Sequence, residues 1–305
     1  MPPKTPSELR PQFHALCRAV GVDPTAPDAL AKLSDPNVVS ASAITHVIET
    51  DATGPEYGTF RGCLDGEWLA VSPEPMEWQR SGEFARALKS KGVRSIVIGD
   101  LTEEWYLYSI AHGPIHSMEE VKKNLERYYP LDFVEKVMKL YRTVPEGSPV
   151  KDFMRLFGEI SGTAQVHCPV RIFARDLINA GFPVLRYEIA WTPEQVRPEG
   201  MSSVPEHIWF LAVLTTLPTL GYVTHATDRS IWAFRLPLLK DDQVAIARSW
   251  LNVIAREVEA LEQEGTAKHT QGQVLTLTTD RTIEWQVDKY WDQYMRVCSA
   301  LPGEQ

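Results

Sequence analysis

The sequence predicts an α/β protein built on a parallel sheet, and three observations point that way. Residues 93–98 (VRSIVI) and 183–190 (PVLRYEIA) are apolar, β-branched runs of the kind that form strands buried on both faces. Helical patterns lie between and after them, the alternation that builds parallel sheets. Only three strands are expected, the third at 274–278, which leaves sheet edges that something must cover. The chain therefore reads as part of an architecture.

Each element has its own local reason. Ser7 can cap a helix running towards Val20, with Phe13, Leu16 and Val20 on one face and Gly21 as its stop. Short helices are expected after Pro27 and after Asp35-Pro36. Asp65-Gly66, inside GTFRGCLDGEWLAV, suits a tight hairpin turn because glycine tolerates positive φ. Beyond Gly82 helices are expected at 83–90, 103–110, 118–128, 133–141, 150–159 and 170–180, the last closed by Gly181. The longest helix, 241–264, carries Val244, Ala247, Leu251, Ile254, Val258 and Leu261 on one side, with Gly265 as its C-cap. A final amphipathic helix is expected at 285–300, and only GTAKHTQGQ resembles a flexible linker.

Composition narrows the function classes. Of 305 residues, 44% are apolar and 23% charged, an ordinary globular balance that argues against disorder. Asp and Glu outnumber Lys and Arg by 40 to 31, for a net charge of −9, the wrong sign for a nucleic-acid binder. Cys17, Cys63, Cys168 and Cys298 form no CxxC pair, which fits neither a disulfide framework nor structural zinc and predicts a reducing compartment. The N-terminal stretch has no apolar core of signal-peptide type, and no run reaches the roughly 18 to 20 apolar residues of a membrane span. The nearest approach, IWFLAVLTTLPTL at 208–220, is short and interrupted by Pro218. A soluble, cytoplasmic protein is expected.

Few residues are placed to do chemistry. In IVIGDLTEEWYLY a strand runs into Gly99 and a loop bearing Glu103 and Glu104, at the carboxyl edge of the sheet where α/β enzymes bind ligands. The bland reading is an acidic helix start that complements the macrodipole. GYVTHATDRSIWAF places His225 after a short apolar run; an isolated histidine is more often structural, but acid before histidine is the chain order of an α/β-hydrolase triad. His112 and His116 stand four apart, yet Gly113-Pro114 between them makes a loop pair, not a metal-binding helix face. Trp285, Tyr290, Trp291 and Tyr294 have the spacing of packing contacts. No phosphate-binding glycine loop occurs, and neither a cofactor nor a metal is expected.

These motifs resemble the C-terminal half of the type B carboxylesterase/lipase family, the cholinesterase-like α/β hydrolases, over nearly the whole chain. IVIGDLTEEWYLY is similar to the family's strand–Gly–loop–Glu segment, in which the triad glutamate stands five residues after the glycine, here Glu104. VTHATDRSIWAF resembles the histidine loop, through His225, Asp228, Ile231, Trp232 and Phe234. CLDGEWLAVSPEP, VHCPVRIFARDLINAGFPVLRYEIAW and DDQVAIARSWLNVIARE, with Trp250, are similar to further family segments in the same order. The resemblance implies a partial α/β-hydrolase fold over 1–305, with His225 as general base and Glu104 as its orienting acid. Glu103 is the alternative acid if the loop register slips by one, and Asp228 shapes the loop.

Two departures limit the activity this implies. The family's GxSxG elbow lies upstream of the glutamate, and no GxSxG occurs anywhere in this sequence. GEISG (158–162) has its serine one place late and follows Glu104; the oxyanion glycine run is missing as well. MSSVPEHIWFLAVLTTLPTL (201–220) reads as an insertion, or as translated non-coding sequence, between the second strand and the histidine loop, so His207 within it has little claim as a base. The expectation is a truncated ester hydrolase, inactive alone, taking a small-molecule ester only when an N-terminal half completes it. The competing reading is a non-catalytic, esterase-derived interaction module that self-associates through an exposed sheet edge.

Overall fold

A computed structural model describes residues 3–50, 52–54, 57, 60–111, 113–197, 221–266, 269–301 and 303–304. The proposed insertion at 201–220, with His207, and also His112, lie outside the described residues. The chain divides into two compact units, Met1–Pro75 with Lys123–Val134, and Met76–Lys122 with Glu135–Gln305.

The first unit holds α1 (Pro6–Ala19), α2 (Ala29–Ser34) and α3 (Ala41–Glu49). The cap of α1 is Thr5, not Ser7: the Thr5 hydroxyl accepts from the Glu8 amide while the Glu8 carboxylate accepts from the Thr5 amide, a reciprocal capping box. Cys17, Val22, Ala29 and Val39 form the core beneath these helices. No hairpin forms at Asp65-Gly66. The Asp65 carboxylate instead accepts from the amides of Glu67, Trp68 and Leu69, tying the turn to itself, and the run before it bridges Lys4 through Cys63 and does not pair with the run that follows.

The second unit contains α4 (Pro75–Arg80), α5 (Glu83–Ser90), β1 (Ile96–Leu101), α6 (Trp105–Ile110), α9 (Val150–Gly162), α10 (Cys168–Asn179) and β2 (Val184–Ile189). After these come α11 (Arg229–Trp232), α12 (Asp241–Glu264), β3 (Gln273–Leu277), β4 (Ile283–Val287) and α13 (Trp291–Cys298). The chain passes between the units within α7 (Met118–Glu126) and α8 (Leu131–Met138). The four strands lie in the order β1-β2-β3-β4, the first three parallel and β4 antiparallel to β3. β1 begins three residues later than expected because Val93 still closes the turn after α5, its amide donating to Leu88 beside Gly92 at φ +80. The expected helix at 285–300 is shorter: IEWQV alternates as a strand, and Arg281 at positive φ makes the reversal that pairs it with β3.

Strand alternation separates the two sheet faces. Leu101, Leu185, Ile189, Leu275 and Leu277 pack on α12 around the fully buried Trp250. On the other face Ile96, Ile98 and Val184 pack on Ala174 and Leu177 of α10, with Phe182. Each such side chain contributes about 1.5–3 kcal/mol when fully buried, so the two helix layers fix the sheet between them. α9 and α10 run on through a π turn at Thr163–His167. Pro169 has no amide to give the preceding turn, and the wider turn absorbs that loss.

Candidate active site

Two loops meet at the carboxyl ends of β1 and β2. The first leaves β1 through Glu103 and Glu104 into α6; its position is set by α9, where Gly158 and Gly162 lie against the backbone of Trp105. A methyl on Gly162 would sit 3.0 Å from the Trp105 nitrogen, and one on Gly158 would enter the Trp105 carbonyl oxygen. GEISG is therefore a packing seam that brings α9 close to the acid loop. Its Ser161 is fully buried in the helix.

The second loop carries His225. Glu103 clamps it reciprocally: the Val223 amide donates to the Glu103 carboxylate at 2.8 Å, and the Glu103 amide donates to the Val223 carbonyl at 3.0 Å. The Leu107 amide donates to the Thr224 hydroxyl at 3.2 Å. Ala226, next to the histidine, is held at φ +65, a backbone region costly to any residue with a side chain. Asp228 is buried, accepts from the Trp232 indole at 2.9 Å and has its carboxyl pushed up by burial.

Glu104 and His225, 121 residues apart, come into hydrogen-bond contact, Oε2 to Nδ1 at 3.1 Å. The carboxylate is 2% exposed and also accepts from the Leu101 amide at 3.4 Å, whereas the imidazole is 53% exposed. The Glu104 hydrogen bond raises the His225 pKa above its ordinary value, against the opposing effect of desolvation. With Nδ1 held by the carboxylate, Nε2 is the nitrogen free to exchange a proton with a ligand. The ring opens on a cleft of about 880 Å³ lined by Gly99, Leu101, Tyr187, Asp228 and Trp232 among others. Among the described residues no serine, threonine or cysteine lines this cleft. Glu103 does not reach the imidazole; the two neighbouring glutamates divide into clamp and partner.

A second polar assembly went unread in the sequence. Asp100, at a buried position of β1, accepts from Arg171 at 2.7 Å and from His167 Nδ1 at 2.6 Å. Arg171 also pairs with Asp288 at 2.9 Å, and Asp288 receives Arg186 from β2 at 2.7 Å. Burial alone would raise Asp100, but Arg171 and His167 outweigh it and hold the carboxyl well below the usual carboxylate range. Tyr294 stacks on His167 at 4.6 Å and Trp291 lies under Arg186 at 5.0 Å, so these aromatic residues serve packing as their spacing suggests. The available signal was Asp100 and Arg186 inside otherwise apolar strands, since buried charges require partners. His116 lies in a loop, and among the described residues no group of His, Cys, Asp and Glu could hold a metal ion.

No protein-family model matches the chain. The chain is similar to an uncharacterized esterase/lipase of Schizosaccharomyces pombe, with 24% identity over 310 residues that take in 99% of this chain and 52% of that protein. It thus spans about half the length of the curated relative it matches. Among the described residues no helix is long and apolar enough to cross a membrane. In sequence this chain is esterase/lipase-like, and its helix-flanked mixed sheet is compatible with an α/β fold.

Proposed function

We propose that the chain carries the proton-handling part of a carboxylic-ester hydrolase site of the type B carboxylesterase kind. In this reading the His225 Nε2 takes the proton of an attacking hydroxyl and returns it to the leaving alkoxide. Glu104 holds the tautomer and stabilises the imidazolium. The single observation that supports it is the hydrogen bond between Glu104 and His225 beside an open cleft. The attacking serine and the oxyanion donors come from sequence other than these 305 residues, because no GxSxG is present and no hydroxyl among the described residues lines the cleft beside the imidazole except the phenol of Tyr187. Small-molecule esters are the substrate class, and no cofactor takes part.

Without a nucleophile the rate collapses; what persists in triad knockouts is attributed to the oxyanion hole and binding. The chain alone is therefore expected to turn over p-nitrophenyl acetate and butyrate no faster than buffer. Hydrolysis at ordinary enzyme rates, abolished by a serine-directed phosphonate, would overturn the reading. A second reading, an interaction module, is favoured by one feature: among the described residues β1 has a strand partner on one side only.

A further inference from the structure

The charged groups around the His225 cleft fall into two sets. Glu104 and Asp228 are buried and committed, Glu104 to His225 and the Leu101 amide, Asp228 to the Trp232 indole. Burial also pushes the Asp228 carboxyl towards its neutral form. Arg229 and Arg235 line the same cleft and are exposed. Among the described residues neither guanidinium has a hydrogen bond, an ion pair or a ring beneath it. The positive charge of Arg229 reaches the imidazole, where it opposes protonation of the ring. Arginines that line the core or a cavity elsewhere in this unit are paired. Arg142 and Arg155 share Glu159 at a cavity of about 860 Å³ on the opposite sheet face, and Arg171 and Arg186 share Asp288.

This distribution selects a ligand by charge. The exposed charge of the cleft is positive: two free guanidiniums, joined by His225 whenever its ring is protonated. The chain as a whole carries −9, so the patch stands against the overall field. A cation would meet both arginines with no exposed carboxylate to offset them, and a neutral ester would leave them idle. A guanidinium takes carboxylate or phosphate oxygens through two parallel N–H donors. Val97, Leu101, Val166, Tyr187 and Trp232 supply apolar wall in the same cleft for the rest of the molecule. We propose that the substrates of this site are esters that also carry an anionic oxygen group, carboxylate or phosphate, held by Arg229 and Arg235 while the ester lies at His225. The proposal rests on the ester-hydrolase reading and narrows its substrate class.

Binding tests this, since the chain alone is expected not to turn over. Calorimetry and ¹H–¹⁵N NMR of the His225 ring on the full chain compare two matched pairs, monoethyl glutarate with ethyl glutaramate and butyrylglycerol phosphate with butyrylglycerol. Butyrylcholine is the cationic control. At least one anionic ester is expected to bind about fivefold or more tighter than its neutral counterpart, to shift the ring signal, and to weaken as salt is raised. The pair that responds tells carboxylate from phosphate. Arg229→Gln and Arg235→Gln are each expected to weaken that ester about twofold or more and together to erase the preference. Arg256→Gln, on α12 and outside the cleft, is expected to leave it unchanged. Both cleft arginines are exposed and unpaired, so their variants are expected to melt with the parent. The proposal is overturned if neither anionic ester binds tighter than its counterpart, if the preference survives the double variant, or if binding leaves the ring signal unmoved. A neutral ester that binds as tightly and shifts the ring as far would sink the anion preference alone; the ester-hydrolase reading is judged separately, by whether Glu104→Gln moves the ring titration.

Discussion

At the scale of single residues the decisive contact is the one between Glu104 and His225. The hydrogen bond that raises the imidazole pKa favours the protonated ring in the folded protein. That contribution to stability is complete below the unfolded value of about 6.5 and is lost as pH rises through the folded value. Glu104→Gln is expected to bring the His225 titration back towards about 6.5, read by ¹H–¹⁵N NMR of the ring; an unchanged midpoint would mean that the carboxylate does not govern it. Asp100 works with the opposite sign. Its depressed pKa gives stability that is present above about pH 3.9 and disappears as pH falls through the folded value. Asp100→Asn, which leaves Arg171 with one carboxylate instead of two, is expected to cost about 3–5 kcal/mol in urea unfolding and to flatten the acid limb of the stability curve. The contact between Glu104 and His225 was legible in the sequence because each residue sits in a local motif. The Asp100 assembly was not, since its members are drawn from positions 67 and 71 residues along the chain and further.

At the scale of elements, the close approach of α9 to α6 carries the consequences. An alanine in a helix interior ordinarily gains about 0.5–1 kcal/mol over glycine. At Gly158 the added methyl would press on the Trp105 carbonyl and Ser109, so overpacking of about 1–3 kcal/mol is expected to win. Gly158→Ala should lower the melting temperature and perturb the His225 titration, because Trp105 directly follows Glu104; a stabilised variant with an unaltered titration would show the seam to be slack. The sequence excluded GEISG as a serine elbow by its spacing and chain order, but the packing role of its two glycines was not legible, because the Trp105 backbone they meet is more than fifty residues away along the chain. The last strand was missed for another reason. Ile283 to Val287 alternates over only five residues, and the aromatic residues that follow continue a pattern that also fits a helix. α12, with its apolar stripe and glycine C-cap, was read to the residue because both signals are local.

At the scale of the whole molecule, the sheet has an α12 face that is apolar and an opposite face that mixes apolar packing with charge, and helices cover both. The alternation of strand and helix made the α/β class legible, but the mixed character of the sheet was not, because the antiparallel β4 depends on a single turn. The proposed interaction through the open side of β1 predicts a second copy paired there. Size exclusion with light scattering should then report a dimer or larger species, and Val97→Lys, at a 38% exposed position of that strand, should shift it towards monomer. A monomer at micromolar concentration would refute that pairing while leaving the ester-hydrolase reading intact.

Glu103 and Glu104, adjacent in the chain, address different cavities, one holding the loop that carries the imidazole and the other the imidazole itself. Deleting Thr102, the one residue between Leu101 and Glu103, would shift Glu104 into the clamp position and Trp105 into the place beside the imidazole, leaving His225 without its carboxylate. Point-by-point alanine replacement would never reveal this fragility: the hinge between strand and helix tolerates changes of content far better than a change of count.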